Sequence, residues 1–202
     1  MSTFRFAIMG AGNIAHQFCD AVTLVEDCEV SAIASKDLGR AQKFAEECSV
    51  AHAYDNYEQM LIEEKPDCVY IAVTPNDHFR LTMLCLEHRV PVLCEKAMFT
   101  NSAEAKAVFE KAEKDQTFVM EAMWSRFLPA VNQAKKWAAE GKIGRLEALQ
   151  GRIGFLAPEG ADNRYHSPLL CGGAATDITV YAYEIATWLV NEPVRKTYAA
   201  AN

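Results

Sequence analysis

The fold is decided by the stretch Arg5-Phe6-Ala7-Ile8-Met9-Gly10-Ala11-Gly12-Asn13-Ile14-Ala15-His16. It reads as a short apolar strand, a glycine turn and the start of a helix that begins with Asn13 and Ile14. Gly10 allows a sharp turn out of the strand, Gly12 lets the backbone approach a pyrophosphate, and Ala15 permits close packing of helix on strand. The N–H groups and positive dipole end of such a helix suit phosphates. The pattern predicts a dinucleotide site; the alternative is a tight strand–helix turn that binds nothing.

Composition and charge narrow the range of partners. Of the 202 residues, 50% are hydrophobic and 23% are charged, and the formal net charge is −7. Because phosphate backbones and anionic lipids attract basic surfaces, this balance predicts no nucleic-acid partner and no membrane partner. The sequence shows no signal peptide and no apolar run of about 18 residues, which again indicates no membrane span.

The seven cysteines are odd in number, and no two of them form a C-x-x-C pair. Several lie inside apolar runs, as Cys68 does before Val69, where cysteine behaves as a small hydrophobic residue. The pattern predicts neither a disulfide framework nor a metal site, and it favours a reducing compartment, the cytoplasm.

Strand and helix patterns alternate along the first part of the chain. Apolar strands are predicted at residues 5–9, 29–35, 50–54, 67–74, 90–94 and 118–121, and helices at 13–24, 38–48, 57–65, 78–88 and 102–114. Apolar strands that alternate with helices are typical of α/β proteins with a doubly wound parallel sheet covered on both faces. Residues 1–122 are therefore predicted to form a dinucleotide-binding Rossmann domain.

The pattern changes from Met123 onwards. It predicts a helix at 128–140, a strand at 146–155, a loop at 157–170, a long apolar helix at 173–190 and a strand at 194–199. Residues 123–202 are therefore predicted to form part of an α+β substrate domain. Two strands rarely form a stable sheet alone, and a helix that is apolar nearly all round needs cover. We therefore expect a truncated domain that is completed by missing sequence or by another copy of the chain.

Ligands of doubly wound sheets bind beyond the carboxyl ends of the strands. The segment after the second predicted strand contains Ser35, Lys36, Asp37 and Arg40. NAD sites usually place an acidic residue at this strand end to bind the adenosine ribose, whereas here the position holds Ser35 with two cations nearby. A hydroxyl and cations suit the 2′-phosphate of NADP, so the segment predicts NADP rather than NAD. The alternative is a solvated, charged turn.

Two further segments follow predicted strands. They are Thr74-Pro75-Asn76-Asp77-His78 and Glu95-Lys96-Ala97. A lysine and a carboxylate beyond a buried strand can position a nicotinamide or transfer a proton. The alternatives are ordinary, with His78 as a residue of a first helical turn and Glu95-Lys96 as a surface pair.

Polar side chains interrupt the apolar helix predicted at 173–190. Asp177, Tyr181 and Glu184 follow one another at i, i+4 and i+7, which places them on one helix face. Carboxylates on so apolar a helix should be paired or functional, because burying an unpaired charge is costly. The alternative is that this stripe is the solvent-exposed edge.

Three longer motifs carry a resemblance to a known family. They are Val92-Leu93-Cys94-Glu95-Lys96, Met120-Glu121-Ala122-Met123-Trp124-Ser125-Arg126-Phe127-Leu128-Pro129-Ala130 and Cys171-Gly172-Gly173-Ala174-Ala175-Thr176-Asp177-Ile178-Thr179-Val180-Tyr181. With the glycine turn, and in this order, they make the chain resemble the glucose–fructose oxidoreductase, inositol dehydrogenase and rhizopine-catabolism (Gfo/Idh/MocA) family over nearly its whole length. Within that family it is similar to the branch of dimeric dihydrodiol dehydrogenases and NADP-linked xylose dehydrogenases.

The resemblance implies an NADP-dependent oxidoreductase that transfers a hydride between the nicotinamide and a CH–OH group of a sugar or cyclic diol. It implies that Lys96 contacts the nicotinamide ribose and the substrate oxygen, that Asp177 binds substrate and that Tyr181 is the catalytic acid–base. A free tyrosine titrates near 10, so this role needs a nearby cation such as Lys96. Pattern and resemblance together assign cofactor binding to Gly10, Gly12, Asn13, Ile14, Ala15, Ser35, Lys36, Arg40, Thr74, Pro75, Asn76, His78, Glu95, Lys96, Trp124 and Arg126.

The alternative function is a dinucleotide-binding protein without turnover, such as a redox sensor or an inactive fragment. Two departures from the family pattern bear on this choice. Ala97 replaces the family's proline after the lysine, which removes backbone rigidity. Family substrate domains are also much longer than residues 123–202. In the family the sheet of that domain forms the dimer face, which implies a homodimer.

Overall fold

The structure, a computed structural model, describes residues 3–158, 160, 163–198 and 200. These residues fall into two compact units. The first contains the chain up to Ala122 together with Leu169–Cys171, and the second contains the remainder. Within the described ranges, no helix is both long enough and apolar enough to cross a membrane.

The first unit is built on a parallel six-stranded sheet. Its strands are β1 (Phe4–Met9), β2 (Cys28–Ala34), β3 (His52–Tyr54), β4 (Cys68–Ile71), β5 (Val92–Cys94) and β6 (Val119–Glu121), in the spatial order β3-β2-β1-β4-β5-β6. The connecting helices are α1 (Asn13–Val22), α2 (Leu38–Cys48), α3 (Tyr57–Glu64), α4 (Pro75–Glu87) and α5 (Ser102–Asp115). The predicted doubly wound α/β fold is confirmed.

The core of this unit lies along its central strand. Ala7, Ile8 and Met9 of β1 are fully buried, and β1 pairs in parallel with β2 on one side and with β4 on the other. Strand order reverses between β1 and β4, and in such sheets the carboxyl ends at this point open a crevice in which ligands bind. The glycine turn follows β1 directly and therefore lies at this crevice.

Element bounds differ from the sequence prediction by a few residues. The shift that matters for the site is at α4, which begins at Pro75 rather than at residue 78. Proline suits the first turn of a helix because its missing N–H has no helical partner there and its φ is already helical. The shift brings Asn76 and Asp77 into the first turn of α4.

Beyond Met123 the regular elements of the described residues are helical. They are the 3₁₀ turn Trp124–Phe127, α6 (Pro129–Ala139), the 3₁₀ turn Pro168–Leu170, α7 (Ala174–Asp177) and α8 (Thr179–Val190). The strands predicted at 146–155 and 194–199 are wrong, because the chain is irregular at 146–155 and at 194–198; Ala199 lies outside the described residues. A strand needs a neighbour to pair its N–H and C=O groups, and neither segment meets one in the part of the chain that the structure describes.

The single helix predicted at 173–190 is also wrong. Ile178 separates α7 from α8 and has a φ of −120°. The hydroxyl of Thr179 donates to the carbonyl oxygen of Ala174 at 2.9 Å. Threonine hydroxyls that bond to preceding carbonyls compete with the backbone bonds of a helix. Asp177 therefore ends a short helix of its own.

Candidate functional site

Gly10 is required by the fold of the turn after β1. Its φ is +108°, which side chains rarely adopt, and a Cβ there would lie 2.7 Å from the carbonyl oxygen of Ala72. Its N–H donates to the carbonyl oxygen of Ala34 at 2.8 Å. The turn is therefore held between the chain segments that leave β2 and β4.

Gly12 is not required by the fold. Its φ of −101° suits any residue, and a Cβ there would meet the Ala72 carbonyl oxygen only at 3.9 Å. A Cβ at Gly12 would therefore make only an ordinary van der Waals contact, next to the first turn of α1. A ligand that approaches the backbone closely explains glycine at this position, and protein packing does not.

The first turn of α1 presents its N–H groups next to Gly12. No described side chain caps this end, whereas α2, α3 and α5 are capped by Asp37, Asn56 and Asn101. Uncapped N–H groups and the helix dipole favour an anion. Ala15 is fully buried in this turn, as its predicted packing role requires. The residues present therefore fit a dinucleotide pyrophosphate.

His16, for which the sequence predicts no role, contacts the glycine turn. Its Nδ1 lies 3.1 Å from the carbonyl oxygen of Gly12 and its Nε2 lies 3.0 Å from Glu47. Its ring packs on Phe44 at 4.4 Å between centroids. The hydrogen bond to His16 lowers the pKa of Glu47. The partner Glu47 lies 31 residues away along the chain, so no local pattern could indicate this contact.

The segment after β2 brings a cation to the glycine turn. Asp37 caps α2 by accepting a hydrogen bond from the Arg40 backbone N–H at 2.8 Å. The Arg40 guanidinium reaches the Ala11 carbonyl oxygen at 3.5 Å. Ser35 is buried, and its N–H donates to the Tyr54 carbonyl oxygen at 3.0 Å. The acidic residue of this segment is thus occupied as a helix cap, while Arg40 lies beside the turn.

Lys36 is paired rather than simply solvated. Its Nζ lies 2.5 Å from Oδ2 of Asp77, in the first turn of α4. The second carboxylate oxygen of Asp77 lies 3.4 Å from Arg80. Partial burial opposes ionisation of Asp77, but the hydrogen bond and charge of Lys36 outweigh it, and the pKa is lowered. These contacts join the chain after β2 to the chain after β4.

The imidazole of His78 makes its polar contacts inside the protein. Its side chain is fully buried, with Nε2 3.0 Å from the Val73 carbonyl oxygen and Nδ1 3.0 Å from that of Ala97. Burial lowers the pKa of His78, although the neighbouring carbonyls favour the protonated ring. The imidazole thus links the loop before α4 to the loop that carries Lys96. Its predicted contact with the cofactor stays a prediction.

Glu95 and Lys96 follow β5 at the same edge of the sheet. The Tyr70 hydroxyl donates to Glu95 at 2.5 Å, and the Lys96 backbone N–H donates to it at 3.2 Å. Burial raises the pKa of Glu95 despite these bonds. The peptide bond between Lys96 and Ala97 is cis. Glu95 is therefore partly buried and hydrogen bonded to a core tyrosine. These are not the features of a glutamate in a surface ion pair.

In the second unit, Asp177 lies on a small cavity. The cavity has a volume of about 250 Å³, and its walls include Phe155, Tyr165 and His166. Phe155 and Tyr165 meet edge to face at 5.1 Å between ring centroids. Arg164 lies 3.7 Å from the Asp177 carboxylate. The loop predicted at 157–170 carries Arg164, Tyr165 and His166, and no sequence pattern indicates that they lie near Asp177.

The chain around Trp124 is bonded to α8 at three successive residues. The Trp124 indole N–H donates to the Tyr181 hydroxyl at 3.0 Å, and the Ser125 hydroxyl donates to Glu184 at 3.0 Å. Arg126 forms an ion pair with Glu184, whose side chain is only 8% exposed. The stripe predicted on this helix is therefore not a solvent-exposed edge. Tyr181 and Glu184 face partners that are 57 and 58 residues away in sequence.

Comparison with known proteins decides the family. A family model described as an oxidoreductase family with an NAD-binding Rossmann fold matches residues 4–123, and the model of the Gfo/Idh/MocA C-terminal domain matches residues 131–202. The chain belongs to the Gfo/Idh/MocA family. The resemblance stated from the motifs is thus confirmed.

Curated relatives of this chain include trans-1,2-dihydrobenzene-1,2-diol dehydrogenases. The mouse protein is 32% identical over 190 residues, which cover 92% of this chain and 56% of the relative. The pig protein is 34% identical over 185 residues, which cover 89% of this chain and 54% of the relative. The chain thus spans about half the length of these relatives.

Solved structures share the fold of this chain. A probable dehydrogenase from Thermotoga maritima matches with a TM-score of 0.80 and 22% identity, over 95% of this chain and 56% of that one. An NAD-binding protein from Listeria innocua matches with a TM-score of 0.83 and 22% identity, over 94% of this chain and 56% of that one. At this identity the likeness describes the fold alone.

Proposed function

We propose that this chain carries the cofactor site and acid–base tyrosine of an NADP-dependent oxidoreductase acting on a CH–OH group of a sugar or cyclic diol. The observation that carries the cofactor part is that neither backbone conformation nor packing requires a glycine at position 12, at the uncapped start of α1. The dihydrodiol dehydrogenases among the relatives support the substrate class. In this proposal residues 1–122 bind the dinucleotide and residues 123–202 belong to the substrate domain.

Tyr181 accepts the proton of the substrate hydroxyl in this proposal. A bound nicotinamide would supply the hydride acceptor for oxidation of an alcohol, and the Tyr181 oxygen, as the phenolate, would accept the proton that the substrate hydroxyl loses. A hydrogen-bond donor favours the deprotonated form of the oxygen that it faces. The Trp124 indole N–H is such a donor at 3.0 Å, which supports Tyr181 as the proton acceptor. Lys96 assists by contact with the nicotinamide ribose and the substrate oxygen, as the family resemblance implies.

Asp177 binds the substrate in this proposal. Its cavity combines aromatic walls, from Phe155 and Tyr165, with the polar side chains of Asp177 and His166. Such a lining suits a small ring that carries hydroxyl groups, since the ring packs on the aromatic side chains and the hydroxyls bond to the polar ones.

The cofactor preference is tested by measuring dissociation constants of NADPH and NADH through nicotinamide fluorescence. We expect NADPH to bind roughly 10- to 100-fold more tightly, because charge-assisted bonds from Lys36 and Arg40 recognise its 2′-phosphate. Replacing Ser35 by aspartate should move the preference towards NADH. Arg40→Gln should weaken the binding of NADPH but not that of NADH. Thermal unfolding of this variant checks that it is folded. Equal dissociation constants for the two cofactors in the wild type would contradict the assignment.

The chain is proposed to form a homodimer through its second unit. Large apolar side chains of this unit are exposed, among them Phe127 at 68%, Ile143 at 60% and Leu156 at 97%. Exposed apolar side chains are removed from water when they meet in an interface, and this favours association. Light scattering should therefore give twice the mass of one chain. A monomer whose second unit resists protease as well as the first would show the proposal to be wrong.

The cytoplasm is the proposed location. None of the seven cysteines, all of which lie in the described ranges, forms a disulfide. Burial raises the pKa of Cys68 to about 12, as expected for an unreactive thiol packed in a core. Reduced, packed thiols are typical of proteins in a reducing compartment.

A further inference from the structure

We propose that Asp77 determines how strongly this site discriminates NADP from NAD, by competing with the 2′-phosphate for Lys36. The inference rests on the proposed function, because it takes Ser35, Lys36 and Arg40 as the 2′-phosphate site. Asp77 is not one of these three residues. It lies in α4, whereas they lie in the chain that follows β2. Asp77 would be a specificity-determining residue that weakens NADP binding.

The geometry fixes the position of the Asp77 carboxylate. Its side chain is 17% exposed, and it accepts contacts from Lys36 at 2.5 Å and from Arg80 at 3.4 Å. Arg80 is itself placed over the Tyr57 ring, 5.9 Å from its centroid. Asp77 also lies in the first turn of α4, where the helix dipole favours a negative charge. The carboxylate is thus held by two cations and a helix end.

Lys36 is the adaptable member of this group. Its side chain is 66% exposed, so it can turn towards a bound phosphate without breaking packing. A phosphate ester carries between one and two negative charges near neutral pH. It would share the single positive charge of Lys36 with Asp77 and would be repelled by the Asp77 carboxylate. The ribose hydroxyl of NAD carries no charge and feels neither effect.

Replacing Asp77 by asparagine removes the charge and keeps the shape of the side chain. We expect the dissociation constant of NADPH to fall about 3- to 10-fold, since like charges at a partly exposed site interact modestly. The dissociation constant of NADH should change less than about 2-fold. Fluorescence titration of the intact chain measures both, and thermal unfolding of each variant reports its folding. Asp77→Ser is the second variant should Asp77→Asn be unstable.

Asp115→Asn is the matched control. Asp115 forms an ion pair with Lys111 at 2.8 Å, and its side chain is 18% exposed, close to the value for Asp77. It ends α5, which leads into the amino end of β6, at the opposite edge of the sheet from the proposed site. Loss of this ion pair should leave the binding of both cofactors unchanged.

The outcomes separate the inference from the proposed function. If Lys36→Met weakens NADPH binding but Asp77→Asn leaves the affinity for NADPH unchanged, the inference about Asp77 is overturned and the proposed NADP site stands. If Asp77→Asn weakens NADH, Asp77 is a ribose ligand and the inference is overturned. If Lys36→Met and Arg40→Gln both leave NADPH unchanged, the proposed 2′-phosphate site is wrong and the inference falls with it. The inference is supported if Asp77→Asn binds NADPH more tightly than the wild type does while its affinity for NADH is unchanged.

Discussion

Replacing Tyr181 by phenylalanine should lower turnover by roughly 10²- to 10⁴-fold and leave the affinity for NADPH unchanged. The change removes only the hydroxyl oxygen that accepts the Trp124 hydrogen bond at 3.0 Å and that takes the proton in the proposed reaction. The aromatic contact with Trp124, at 5.8 Å between centroids, is kept. The measurement is nicotinamide absorbance with a panel of pentoses, hexoses and cyclic diols, alongside an NADPH titration.

Tyr183→Phe is the matched control for this experiment. Tyr183 lies two residues further along α8 and is 57% exposed, so its hydroxyl should not affect turnover. Lys96→Ala should also lower turnover. Undiminished turnover in Tyr181→Phe would exclude it as the acid–base. NADPH binding by the wild type without turnover on any substrate of the panel would favour the dinucleotide-binding protein over the enzyme.

Replacing Gly12 by serine should weaken NADPH binding by about 10- to 100-fold without loss of stability. The new side chain would lie beside the first turn of α1, where the pyrophosphate is proposed to bind, and its Cβ would not clash with the protein. Each charge-assisted hydrogen bond that is lost costs about 1.5–3 kcal/mol, or roughly one to two powers of ten. Serine is also a favoured N-cap residue, so the free energy of unfolding of the apo-protein should stay equal or rise.

Gly10→Ala is the contrasting variant. A Cβ at Gly10 would lie 2.7 Å from the Ala72 carbonyl oxygen, and its φ of +108° is unfavourable for alanine. This variant should lower the midpoint of thermal unfolding, whereas Gly12→Ser should not. Wild-type affinity for both cofactors in a folded Gly12→Ser protein would mean that no pyrophosphate lies at this turn.

The first unit was predictable from sequence because its signals are local. The apolar run of β1, the glycine turn and the start of α1 are contiguous, and parallel strands that alternate with helices have few arrangements. The helix predicted at 38–48 has the bounds of α2, Leu38–Cys48. Motif order alone was enough to indicate the Gfo/Idh/MocA family.

The second unit was predicted less well because strands depend on partners that local patterns do not show. Residues 146–155 alternate well enough for a strand but are irregular where no neighbour pairs with them in the described residues. The helix predicted at 173–190 breaks at Ile178. The hydroxyl of the next residue, Thr179, donates a hydrogen bond to the carbonyl oxygen of Ala174 in the preceding helix. Helical spacing cannot report such a competing bond.

The sequence by itself therefore determined the Rossmann sheet, the position of the glycine turn, the family and the residue types at the strand ends. Only the tertiary structure decided what those side chains contact. It joined Lys36 to Asp77 across 41 residues of sequence and buried Glu184 against Ser125 and Arg126. The physical reason is that hydrogen bonds and ion pairs of side chains act over a few ångströms in space, whereas sequence patterns report only on neighbours along the chain.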